Sequence, residues 1–483
     1  MRHILLFSLF LSLCLYGKAQ DPTFSPAQLK EDLSILKRNL EGAHPALYAY
    51  HPKERLDSAF TVIESNLNSP LTEVEFFRRI SPLLKLIANG HTHFFNSDAY
   101  REKRRTKDLI FPMAVYWQDD QLLVIRNASL NEELEVGSII QKINGKSSGE
   151  IFKYLVDQET RDGYNETLPR LSVQRAFGSK YALHFGNPDN YELDIRLPNG
   201  DEKVFNIEAL PLDTIQKIVR NRYGERRKAW YENGIDAYTL EIEGNTAVMT
   251  LRTFSKSWIR KNGPSCKKFF NDAFKKIDEA NIEHLIIDLR DNGGGDPKPT
   301  IKLFAHLYDK PFTFYRQLSM VTKGLPDKKY YKEKLGLLSI ALPFITKKEG
   351  DLYVMKGIAG LKESKPAKLY YSGKAYFLTN PNSFSATGEM SAILKEHDRG
   401  LFIGEEAGGN PNQNTSGIML PLELPNSKIS VLMPMILFEM NVDFENTGHG
   451  VIPDHIIRPS LQDVIEGNDP VMDFTKELIK KGK

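Results

Sequence analysis

The spacing of apolar positions changes twice along the chain, and each change marks a new region. From residue 26 to about 90, apolar residues recur every three or four positions. Leu29, Leu33, Leu36 and Leu40 share one helical face. This helix opens at Ser25-Pro26-Ala27-Gln28, a capping box with proline at the first helical position, and Gly42 can end it. Leu56, Phe60, Ile63 and Leu67 mark a second helix. Thr72 and Glu75 form a capping box for a third, whose inner face carries Phe76, Ile80, Leu83 and Ile87 before Asn89-Gly90 closes it. From about 110 to 210 the pattern becomes short strands, at 121–126, 136–146, 191–197 and 204–210, with turns at Asn144-Gly145 and Pro198-Asn199-Gly200. A helix with Ile151, Phe152 and Leu155 interrupts them. After a polar, helix-prone link at 213–232, strands and helices alternate. Strands are expected at 240–243, 247–251, 285–289, 375–378 and 401–403, with helices at 265–280, through Leu303 and Leu307, and at 385–397. A hairpin follows at 418–438. Such strand–helix–strand units imply an α/β core with a mainly parallel sheet. The expectation is a multidomain α+β protein, with a helical domain over 20–108, a β-rich domain over 109–212 and the α/β core over 213–483.

Composition narrows the function classes. The chain has 483 residues, 41% hydrophobic and 26% charged, which excludes collagen-like, disordered and coiled-coil proteins and is too long for one core. Arg2, an apolar run over 4–16 and Gly17-Lys18-Ala19 predict an export signal over residues 1–19. The run, about 13 residues, falls short of the roughly 20 of a spanning helix, and no later stretch reaches that length. Cys14 follows Leu13, not the small residue a lipid-anchored leader has. Losing Arg2 and Lys18 turns a formal charge of +2 into 62 basic against 62 acidic residues, so no field attracts nucleic acid or an anionic surface. The charged stretch 101–108 has no interleaved aromatic and reads as a solvated linker. Of two cysteines only Cys266 would remain, a quiet thiol without partners at zinc spacing. No metal, nucleotide or haem signature is present, so no cofactor is expected.

Two strand-to-helix junctions can carry chemistry. In the first, an apolar strand runs through Asp288-Leu289-Arg290-Asp291-Asn292 into Gly293-Gly294-Gly295 before a helix. Glycines let backbone N–H groups approach a ligand, so the turn can stabilise an oxyanion, or be only a tight turn. It fits neither phosphate-loop pattern. Asp288 and Arg290 are placed to anchor it. In the second, a strand turns through Asn380-Pro381-Asn382 and a helix starts near Ser385. A serine there lies in the positive field of the helix terminus with the Ala386 N–H beside it, although Ser383 or Ser385 could equally be an N-cap.

Together, "LIIDLRDNGGGD" and "NSFSATGE" resemble the C-terminal processing (tail-specific) serine peptidase family, as does "GHGVIPDHI" near the end. "VGSIIQKINGKS" is similar to PDZ-like domains, which implies that the β-rich domain is PDZ-like. The resemblance implies Ser385 as nucleophile and an oxyanion hole from Gly293 or Gly294 with Ala386. Ser/Lys members carry their lysine about 25 residues beyond the serine, but no lysine occurs here between Lys395 and Lys428. The branch resembling the tricorn core protease instead uses a histidine from the N-terminal region and a glutamate near the C-terminus. Asn89-Gly90-His91-Thr92 resembles its "D-G-H-T" phrase, with Asn89 in place of aspartate. That implies His91 as base, with His93 as the other candidate, and a neutral imidazole can accept the serine proton. Glu445 in Glu445-Asn446-Thr447-Gly448 resembles the acidic member, with Asp443 and His449 as substitutes. The expected function is an exported, periplasmic or secreted, serine peptidase acting on a peptide or protein substrate, with no nucleic-acid partner and no membrane span. The alternative is a non-catalytic protein binding a peptide or apolar ligand on the same fold.

Overall fold

The structure, a computed structural model, describes residues 21–107, 109–224 and 235–482. The expected export signal lies outside these residues. The N-terminal region forms helices α1 (Pro26–Ala43), α2 (Lys53–Ser65), α3 (Glu73–Ile80) and α4 (Leu83–Ile87). Both capping boxes, Ser25 with Gln28 and Thr72 with Glu75, are formed. The expected third helix is two helices, because Pro82 has no N–H to continue the ladder from Ser81. Ala88, at φ +50°, ends α4 and turns the chain into residues 89–91. A short strand β1 (His93–Phe95) follows. The charged stretch expected to be a linker is an exposed helix, Asp98–Lys107, on which Asp98 pairs with Arg101 and Glu102 with Arg105.

The β-rich region contains β2 (Met113–Gln118), β3 (Gln121–Asn127), β4 (Ile139–Ile143), β5 (Asn190–Arg196) and β6 (Glu202–Glu208), in the order β6-β5-β4-β3-β2 and antiparallel throughout. Asn144 and Gly145 turn β4 back with φ of +50° and +74°, the positive values a tight hairpin turn requires. Helices α5 (Ser148–Asp157) and α6 (Thr167–Arg175) cover the sheet. Leu122, Ile140, Phe152, Tyr191 and Leu193 form a core belonging to this region alone. The N-terminal helices differ, since Leu36 and Phe76 share one apolar cluster with Phe270 and Phe377 of the C-terminal region.

That C-terminal region is built on β7 (Tyr238–Glu243), β8 (Thr246–Leu251), β9 (His284–Asp288), β13 (Lys374–Thr379), β14 (Leu401–Gly404) and β17 (His455–Ile456). The order is β7-β8-β9-β13-β14-β17, and only β7 is antiparallel to its neighbour. Helices Cys266–Glu279, Pro297–Ala305, α7 (Ala386–Glu396) and Pro470–Lys480 pack beside it. An antiparallel sheet of β10 (Tyr315–Met320), β11 (Thr346–Glu349), β12 (Leu352–Met355), β15 (Gln413–Glu423) and β16 (Ser430–Met440) completes the region, in the order β11-β12-β10-β16-β15. Strand β1 joins it by pairing His93 with Leu432 of β16. Two consequences position the site. Parallel strands β9 and β13 end side by side, with Asp288 opposite Leu378, so both glycine- and serine-bearing junctions emerge at one sheet edge, where ligands bind in open α/β sheets. The β1–β16 pairing brings the chain just before β1 to the same place.

Candidate active site

The nucleophile loop begins where β13 ends. Asn380 to Phe384 turn the chain, and Ser385 takes φ +56° and ψ −126° immediately before α7. A non-glycine residue with such a backbone is held there by its surroundings, at a cost of about 1–3 kcal/mol. The geometry separates the two serines. Ser383 is fully buried, accepts the N–H of Asn380 at 3.1 Å and donates to Leu289 O at 2.9 Å, which ties the two junctions together. Ser385 makes no cap bond to its own helix. Its Oγ lies 3.0 Å from Nε2 of His91, 294 positions away.

The glycine junction packs against this serine. Asn380 accepts the N–H of Asp291 at 3.0 Å and donates to its carboxylate at 3.1 Å. Arg290 bonds Asp288 and Asp469 together, as expected of an anchor, and although burial works against its charge the two carboxylates raise its pKa. Gly294 has φ +93°, and a Cβ there would stand 2.8 Å from Ser385 Cβ and from Ala386 N. Its own N–H is spent on Asn292 Oδ1 at 3.0 Å, and Asn292 donates to Leu251 O at 2.9 Å. Gly294 therefore shapes the loop and offers no free donor, which corrects its place among the oxyanion donors. Among the described residues, the N–H groups of Gly293 and Ala386 make no hydrogen bond.

His91 is 8% exposed, and burial lowers its pKa to about 3, with a small further push from His93. The imidazole is thus neutral and able to accept a proton. Phe384 stacks on it with ring centroids 4.6 Å apart. Gly90 permits that stacking, because a Cβ would lie 2.6 Å from Phe384 Cζ. The loop is fixed by Asn89, which accepts the His91 N–H at 3.2 Å and donates to Thr415 Oγ1 at 2.6 Å. Thr92 and the buried His44 extend this network at 3.1 and 3.0 Å. Residues the sequence reading missed clamp the loop from the β-rich region. Thr160 Oγ1 donates to Asn89 O at 2.6 Å, Gly163 N–H donates to Ala88 O at 2.9 Å, and Asp162 Oδ1 accepts the Gly90 N–H at 2.5 Å.

The acidic candidates lie elsewhere. Glu445 is exposed and makes no hydrogen bond, and His91 Nδ1 is buried without a partner among the described residues. Direct orientation of the imidazole by Glu445 is thereby corrected. The inward contact of that phrase comes from Asn446, which accepts from Asn410 Nδ2 at 2.8 Å. Asp443 pairs with Arg316 at 2.6 Å, and His449 lies 3.2 Å from Glu406. His93 sits half-buried on β1, and desolvation lowers its pKa. The lysines flanking the stretch after the serine are engaged away from it, Lys395 with Asp454 at 2.5 Å and Lys428 with Glu423 at 3.8 Å. A cleft of about 600 Å³ between β2, α6 and residues 458–464 reaches Asn380 and Pro381 of the nucleophile loop. Among the described residues no cluster of His, Cys, Asp or Glu could hold a metal.

Residues 245–457 match the profile of Peptidase family S41. The core is a peptidase family S41 domain. The chain is accordingly a serine-type peptidase with a peptide or protein substrate. The S41 match holds Ser385 and the glycine junction, while His91 comes from outside it. No curated protein sequence matches the chain significantly. Among solved structures, mature CPAF is similar in fold at 15% identity and a TM-score of 0.64, over 94% of this chain and 97% of that one. CPAF complexed with lactacystin gives the same values, 15% identity, TM-score 0.64 and coverage of 94% and 97%. The S41 domain thus sits within a multidomain α+β fold shared almost end to end. No helix among the described residues is long and apolar enough to cross a membrane.

Proposed function

We propose that this S41 peptidase is exported and hydrolyses peptide bonds with Ser385 as nucleophile and His91 as general base, closer to the tricorn-core-like branch than to the Ser/Lys one. The 3.0 Å contact between His91 Nε2 and Ser385 Oγ carries the reading, since chance rarely brings two motif residues 294 positions apart into hydrogen-bond reach. As Oγ attacks the scissile carbonyl carbon, Nε2 takes its proton. The carbonyl oxygen becomes an oxyanion held by the N–H groups of Gly293 and Ala386, the latter at the positive end of α7. The amine leaves with the proton returned by His91, and the acyl-enzyme is hydrolysed by water activated at the same nitrogen. The cleft beside β2 and α6 supports an extended substrate lying along the PDZ-like region. The leader pattern at Arg2 and residues 4–19 supports export.

The test is labelling by a fluorophosphonate together with hydrolysis of a fluorescent casein. Wild type is expected to label and hydrolyse, while Ser385→Ala does neither. Equal labelling of Ser385→Ala would refute the nucleophile. Absence of both reactions in folded wild type would favour a non-catalytic ligand-binding role on the same fold.

A further inference from the structure

We propose that Asp162 is the positioning residue of His91, holding from the β-rich region the loop that aims the imidazole at Ser385. This rests on the Ser385–His91 reading above. Asp162 lies between α5 and α6 and is 5% exposed. Its Oδ1 accepts the N–H of Gly90, the residue immediately before His91, at 2.5 Å, and its Oδ2 accepts the N–H of Asn410 at 3.4 Å. On either side of it, Thr160 and Gly163 bond the carbonyls of Asn89 and Ala88. Three residues of one region thus grip three successive residues before the base. The same segment reaches the core, where Tyr164 N–H donates to Gly448 O at 2.7 Å and Asn165 Nδ2 to Ala407 O at 3.2 Å.

Among the described residues the carboxylate has no cationic partner. Neighbouring Arg161 sends its guanidinium to Val156 O at 2.5 Å. The 407–410 loop presents only the Asn410 backbone, and Tyr50 is the other titratable group facing Asp162. Burial accordingly raises the Asp162 pKa to about 6, so the group is ionised at neutral pH at a cost in desolvation. A neutral acceptor could bond Gly90 without that cost. An ionised acceptor holds the Gly90 N–H more strongly than a neutral one, and so fixes the residue before His91 more firmly. Asp162 thus acts on the aim of His91 through the backbone of Gly90.

The test is the second-order rate of fluorophosphonate labelling from pH 5 to 8 in wild type, Asp162→Asn and Ser385→Ala, with thermal unfolding of each. The wild-type rate should rise through about pH 6. Asp162→Asn should label about 10- to 100-fold more slowly at pH 8 with that step gone, and should unfold no lower than wild type. An Asp162→Asn profile with wild-type rate and midpoint, while Ser385→Ala stays unlabelled, overturns this inference alone. Labelling that survives Ser385→Ala overturns the nucleophile assignment as well. Should Asp162→Asn fail to fold, a wild-type profile flat from pH 8 to 5 overturns the proposal.

Discussion

The nucleophile loop and the histidine loop meet across a single 3.0 Å contact but are held by different means. The nucleophile loop is fixed by its sheet neighbour. Ser383 bonds Leu289 O, Asn380 bonds Asp291, and Gly294 presses on Ser385, so nearly every restraint comes from the adjacent β9 junction. The histidine loop has no such neighbour on the parallel sheet. It is held by Thr415 of β15, by His44 through Thr92, and by Thr160, Asp162 and Gly163 of the β-rich region. A strained serine thus sits in a rigid local frame, and its base is delivered by three distant parts of the chain. Changes in the first loop should act on the stability of the core and the backbone of the nucleophile. Changes in the second should act on catalysis through the aim of one ring.

The largest expected effect is His91→Ala, which should lower the rate of hydrolysis on the order of 10⁶-fold while leaving Ser385 in place, because members of such a unit fail together. Steady-state rates check this, and activity within tenfold of wild type would mean another base. Gly90→Ala comes next. Its Cβ must displace the Phe384 ring that stacks on His91, and about 100-fold should be lost from kcat with KM little changed. The two serines then separate by unfolding measurements. Ser383→Ala takes the acceptor from the Asn380 N–H and one of the two donors from Leu289 O, and should cost about 1–3 kcal/mol. Ser385→Gly relieves a φ of +56° and should stabilise by about 1 kcal/mol, so a stabilising Ser383→Ala would reverse the comparison.

Acid should weaken the histidine side. His44 and His91 are buried and neutral, with folded values of about 4 and about 3 against 6.5 unfolded. Unfolding therefore takes up protons below pH 6.5. Their contribution is intact above 6.5 and is lost as pH falls toward the folded values, about 2 kcal/mol each by pH 5. Asp162 works in the opposite sense, since its folded value of about 6 favours the folded state as pH drops below 6, and it offsets part of that loss. Calorimetry should show a lower Tm at pH 5 than at 7.5, and a smaller drop in His44→Gln. The smallest effect is expected for Glu445→Gln, whose exposed side chain makes no hydrogen bond among the described residues, and kcat should stay within about twofold.

What the sequence made legible follows the same division. The two junctions that hold Ser385, Ala386 and Gly293 were readable because strand, turn chemistry and helix start lie within a dozen residues of one another, while the roles of these residues came from the resemblance alone. The three helical faces and both capping boxes are local too, whereas the break at Pro82, for which the proline was the signal, was missed. His91 was reachable only by resemblance, since its partner is 294 positions away. Asp162 sits in Arg161-Asp162-Gly163, indistinguishable from a surface turn until the fold buries it against Gly90. Gly294 and Glu445 went wrong for related reasons. A glycine run does not reveal which N–H its own Asn292 will occupy, and a four-residue phrase does not reveal that Asn446, not Glu445, makes the inward contact. The exposed helix at Asp98–Lys107 was read as a linker because it has almost no apolar face, and its spacing of opposite charges at three residues was the signal available.

The most direct test of the central claim is to phosphonylate the wild-type protein with a fluorophosphonate at neutral pH and map the adduct by peptide mass spectrometry. A single adduct on Ser385, formed far more slowly in His91→Ala, is the predicted result. An adduct on Ser383 or another serine, or an unchanged rate in His91→Ala, would contradict it.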